Sequence, residues 1–137
     1  MTQDIYLGID GVILTKGVIP ALHLNKFLGH ITDHFNVSWL STRCRGKKET
    51  VEKYLSQFLD PSTIDFIRAI KPTSFTLDKT EAINFHRDFF WIEPELFDSE
   101  KNILKRHGTF SSWIELDLIK FPNQLENLTY GKLLFSK

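Results

Sequence analysis

The sequence predicts an α/β fold, a three-layer α/β/α sandwich built on a mainly parallel sheet of Rossmannoid type, with residues 1–137 forming a single domain. Three observations predict it. Continuous apolar runs at Ile5–Ile9, Phe35–Leu40 and Phe89–Ile92 have the length and composition of strands buried on both faces. Stretches with helical spacing separate these runs, the alternation expected of parallel strands joined by covering helices. Finally, 42% hydrophobic against 25% charged residues is the composition of a chain that buries a core.

In chain order, Ile5–Ile9 reads as the central strand and stops at the polar turn Asp10-Gly11. Leu24, Phe27, Leu28, Ile31 and Phe35 follow helical spacing and lead into the second strand, which ends at Ser41-Thr42. Val51, Tyr54, Leu55, Phe58 and Leu59 define an amphipathic helix closed by Asp60-Pro61. Thr63–Ile70 is rich in β-branched residues and reads as a strand, with a helical turn as the alternative. Asp78 and Glu81 form a D-x-x-E capping box that places Lys79 in the first turn of a helix. Phe89–Ile92 is a further strand ending at Glu93-Pro94. Leu96–Arg106 reads as a helix stopped at Gly108, Phe110–Ile119 as a strand, and Leu125–Phe135 as a closing helix.

The charge pattern narrows the function classes. Seventeen Lys and Arg balance seventeen Asp and Glu, so no global field draws the chain to nucleic acid or to anionic lipid. No apolar run approaches the ~20 residues that span a bilayer, and the first residues lack the pattern of a signal peptide, so no membrane partner and a cytoplasmic setting are expected. The one cysteine, Cys44, has no partner for an internal disulfide. His30 and His34 lie four apart and could share a metal ion, but no third ligand stands at zinc-site spacing and Asp33 is on another helix face.

Ligands of parallel sheets bind beyond the carboxyl ends of the strands, which singles out Asp10, Ser41, Thr42 and Glu93. Their order carries a resemblance. Tyr6-Leu7-Gly8-Ile9-Asp10-Gly11 looks like an apolar strand followed by D-x-D-G, with Gly8 in place of the first aspartate. Val37-Ser38-Trp39-Leu40-Ser41-Thr42-Arg43 looks like a strand ending in Ser/Thr, with Ser41 at the motif position and Thr42 as its alternate. Lys79, ahead of Lys71, fits a lysine preceding the next buried strand, and Glu93, with Glu95 or Asp98, fits a final acidic motif interrupted by Pro94. Together these resemble the haloacid dehalogenase superfamily of phosphotransferases over roughly residues 5–98, in the small form without a cap domain, including the module that accompanies RNA-repair proteins.

The resemblance implies catalytic positions at Asp10, Ser41 and Lys79, phosphate contacts from Gly11, Ser41, Thr42 and Lys79, and magnesium on Asp10, Glu93 and Asp98. It also implies that residue 8 should be the nucleophile and a magnesium ligand. Glycine can be neither, and Asp10 lies roughly 7 Å farther along an extended chain, so magnesium binding is expected to be weak or absent. The implied function is a degenerate phosphatase-fold protein that binds phosphate or a phosphoester, or regulates, without turnover. Its expected partners are a phosphorylated small molecule or nucleotide, or another protein. Two alternatives stand beside it: an active magnesium-dependent phosphohydrolase using a displaced carboxylate, and an RNA- or nucleotide-binding module using Arg43, Arg45, Lys47 and Lys48, which neutral overall charge disfavours. On the first view, Gly8→Asp is expected to add a magnesium ligand beside Glu93.

Overall fold

The computed structural model describes residues 3–134. Four strands, β1 (Asp4–Leu7), β4 (Asn36–Trp39), β5 (Phe89–Glu93) and β6 (Trp113–Glu115), form a parallel sheet in the order β4-β1-β5-β6, flanked by helices. In the register, Leu7 faces Trp39 on one side and Ile92 on the other, so β1 is central. Three parallel neighbours therefore end at the same sheet edge, and Asp10, Ser41 and Glu93 all lie at or just past it.

Alternation along the strands sorts side chains between two clusters. Ile5, Leu7, Val37, Trp39, Phe90 and Ile92 join the larger core with Phe27, Leu28 and Ile31 of α1 (Leu24–His34). Tyr6, Phe89 and Trp91 join the smaller cluster with Leu104 of α4 (Asp98–Arg106). The larger cluster also holds residues of α2 (Lys48–Leu55), α3 (Pro61–Ile67) and α5 (Gln124–Tyr130).

Several elements differ from expectation. The β-branched segment after Pro61 is helix α3 and not a strand, because Pro61 opens the helix and Thr63, Ile64 and Ile67 recur on one face toward the core. Here the helical repeat of buried residues outweighs β propensity. Lys79–Ala82 is a single 3₁₀ turn rather than an α-helix, although the predicted capping box is present, with Asp78 accepting from Thr80 and Glu81 accepting from Asp78. Only Trp113–Glu115 of the predicted 110–119 strand is extended, after a 3₁₀ turn at Phe110–Ser112. The closing helix ends at Tyr130, and position 135 of the predicted span lies outside the described residues. A small hairpin, β2 (Leu14–Thr15) with β3 (Ile19–Pro20), follows the first turn, reversed by Lys16 and Gly17 at positive φ. No helix among the described residues is long and apolar enough to cross a membrane.

Because Leu28 and Leu104 are fully buried in different clusters, Leu28→Ala and Leu104→Ala are each expected to cost about 2–5 kcal/mol. Their effects should add to within ~0.5 kcal/mol in the double variant. Denaturant melts check this, and strong coupling between the two would contradict the separation of the clusters.

Candidate functional site

The chain leaves β1 at Leu7, but Gly8 prolongs the ladder by one bond, donating its N–H to Ile92 O at 3.1 Å. This register sets Gly8 beside Glu93, the last residue of β5. A Cβ built on Gly8 would lie 2.5 and 2.6 Å from the two carboxylate oxygens of Glu93 and 2.7 Å from its Cδ. The Glu93 side chain thus lies across the bare backbone of position 8, in the space a side chain there would take. Gly8→Asp cannot simply add a carboxylate beside Glu93, as the sequence suggested, because Glu93 must first move.

Glu93 is buried at this edge, 7% exposed. Burial raises its carboxyl from about 4.5 to about 7; Lys79 pulls the value down and nearby Glu100 pushes it up. The Lys79 ammonium stands 3.7 Å from Glu93 Oε2, within ion-pair range but beyond hydrogen-bond reach. The Trp91 indole N–H lies near enough to favour the charged carboxylate. Yet neither Trp91 Nε1 nor Glu93 Oε2 forms a hydrogen bond. Lys79 and Glu93 open onto a cleft of about 480 Å³ lined by Asp10, Gly11, Lys79, Glu93–Phe97 and Glu100, behind which Trp91 lies fully buried.

Glu100 is the functional candidate that sequence reasoning missed. It is buried on α4, its carboxylate accepts the Phe97 N–H at 2.8 Å, and burial raises its pKa. A signal was present: Glu100 lies four residues before the buried Leu104, on the core-facing side of an amphipathic helix where a carboxylate is costly.

The other predicted residues are distributed unevenly around the cleft. Asp10 lines it, but its carboxylate is half-exposed and takes two bonds from Arg43, at 2.9 and 3.3 Å, while the Arg43 guanidinium also lies over the Tyr54 ring. Gly11 lines it too, but its N–H is already given to Leu14 O at 2.8 Å, so it has no amide to offer a phosphate. Its positive φ and its approach to Pro94, 2.7 Å from a would-be Cβ, explain the glycine. Ser41 is buried at the same sheet edge and its Oγ accepts the Arg43 N–H, whereas Thr42 is exposed; neither lines the cleft. Asp98 is exposed at the start of α4 and does not line it either. Nor does Lys79 stand at a true helix N-terminus, since one 3₁₀ turn has little dipole to add.

These donors suit magnesium poorly. Position 8 brings no side-chain oxygen, Asp10 is held by a guanidinium, and Glu93 is paired with an ammonium in a site that favours its neutral form. Among the described residues, no group of three or more His, Cys, Asp or Glu side chains is placed to hold a metal ion. His30 bonds to Leu133 O at 2.6 Å and packs on His34, and no third ligand among the described residues is gathered about the pair.

The folded Glu93 carboxyl keeps its proton up to about pH 7, whereas the unfolded one releases it near 4.5, so the folded state binds more protons between these values and stability falls as pH rises through them. Glu93→Gln has no charge to bury. It is expected to exceed wild type in stability by on the order of 2–3 kcal/mol above that window, with the advantage fading below it. Chemical denaturation at both ends of the window checks this, and a pH-independent difference would contradict it. No family model matches this chain, and neither a curated protein nor a solved structure matches it, so the chemistry of the cleft rests on its own geometry.

Proposed function

We propose that this chain is a haloacid dehalogenase-like domain, a capless three-layer sandwich, that has lost phosphoryl transfer and serves as a phosphate- or phosphoester-binding regulatory module. One observation carries the reading: position 8 has no side chain, and the Glu93 carboxylate fills the space where a nucleophile would project. Transfer through an acyl phosphate needs an ionised carboxylate within attack distance of phosphorus. Here the carboxylate at that place, Glu93, is buried and biased toward its neutral form. What supports ligand binding is the cleft itself, with the Lys79 ammonium on its wall.

A second reading draws on the same geometry. The Glu93 oxygens stand 2.5 and 2.6 Å from where the residue-8 Cβ would be, close to the distance an aspartate's own oxygens would have, so Glu93 is a candidate displaced nucleophile. The nucleic-acid reading gains less support. Arg43 is engaged by Asp10, and Arg45 and Lys48 donate to the backbone carbonyls of Thr42 and Arg68.

The deciding assay is hydrolysis of p-nitrophenyl phosphate with magnesium present. Wild type is expected to show no turnover above the uncatalysed rate. Turnover that disappears in Glu93→Gln would overturn the binding-module reading in favour of the displaced nucleophile.

A further inference from the structure

We propose that Glu93 is the resident occupant of an anion site at Lys79: lying over Gly8, its carboxylate holds the place of an incoming phosphate, which enters only when Glu93 is neutral or withdrawn. This rests on the reading above that the cleft takes phosphate, and adds how entry is controlled.

The geometry is that of an exchangeable occupant rather than a closed structural ion pair. A buried pair that serves structure has its lone pairs and protons satisfied by hydrogen bonds. Here Lys79 stands 3.7 Å from Glu93 Oε2, that oxygen has no hydrogen-bond partner, and the fully buried Trp91 indole N–H beside it also has none. Two donors thus favour the charged form of one carboxylate, while Glu93 Oε2 and Trp91 Nε1 are left without a hydrogen bond. A phosphate brings more acceptor oxygens than a carboxylate and would bond both donors. The cleft of about 480 Å³ adjoins the pair, so an entering anion has room.

Other charges in the cleft fit this assignment. Asp10 is drawn aside by Arg43, and Glu100 is tied to the Phe97 N–H. Lys79 also lowers the Glu100 value, but Glu93 is the carboxylate within ion-pair distance of it and so the one in direct competition with an entering anion. Gly8 is what makes the arrangement possible, because any side chain there would expel the occupant.

The test is calorimetric titration of inorganic phosphate at about pH 8, above the range in which Glu93 keeps its proton. It compares wild type, Glu93→Gln, Glu93→Ala and the Lys79→Met/Glu93→Gln double variant, each confirmed folded by amide NMR spectra. Glu93→Gln is expected to bind phosphate roughly tenfold or more tightly than wild type, Glu93→Ala to follow it, and the double variant to lose the gain. Equal binding by wild type and both Glu93 variants, abolished with Lys79, would overturn Glu93 as occupant while leaving the phosphate site standing. If no folded variant binds phosphate at all, both the occupant and the phosphate reading fall.

Discussion

The contact between the Glu93 carboxylate and the bare backbone of Gly8 sets the chemistry of this sheet edge. A glutamate at the end of a central parallel strand is driven toward the interior by its apolar neighbours, and an ionised carboxylate there is costly unless something receives it. Gly8, one strand over and in register, makes the space, and Lys79 brings the opposing charge from the turn that precedes β5. The missing side chain on β1 and the reaching side chain on β5 are two halves of one packing solution.

The electrostatics follow from that contact. Glu93 and Glu100 both lie buried on the cleft wall, each raised by desolvation, and the Lys79 ammonium on the same wall lowers both. Closing the site more tightly would demand hydrogen bonds that Trp91 and Lys79 do not complete. The edge thus leaves Trp91 Nε1 and Glu93 Oε2 unsatisfied, and the Trp39 indole N–H in the larger core is likewise without a partner. Such local frustration is common where a fold keeps a place for a ligand.

Much of the fold was legible in the sequence. The three apolar runs became β1, β4 and β5 because strands buried on both faces need unbroken hydrophobicity, and Asp10, Ser41 and Glu93 followed them to one edge as expected. The segment after Pro61 was ambiguous because Thr63, Ile64 and Ile67 satisfy a helical face and a β-branched strand alike, and only packing against the core decides. The hairpin at 14–20 is too short to leave a period. At the site, the absence of a side chain at position 8 was visible, but not that a neighbour fills the gap, since cross-strand reach depends on register. The diversion of Asp10 to Arg43, 33 residues away, was equally out of view.

The most direct measurement of the central claim is a double-mutant cycle on stability between Gly8→Ala and Glu93→Ala. If the carboxylate occupies the space over position 8, adding a methyl group at Gly8 should be destabilising with Glu93 present and much less so once Glu93 is truncated. The expected coupling is about 1–2 kcal/mol, in the range found for residues in direct contact. Additivity to within about 0.3 kcal/mol would show that the two positions do not share that space, and would contradict the account.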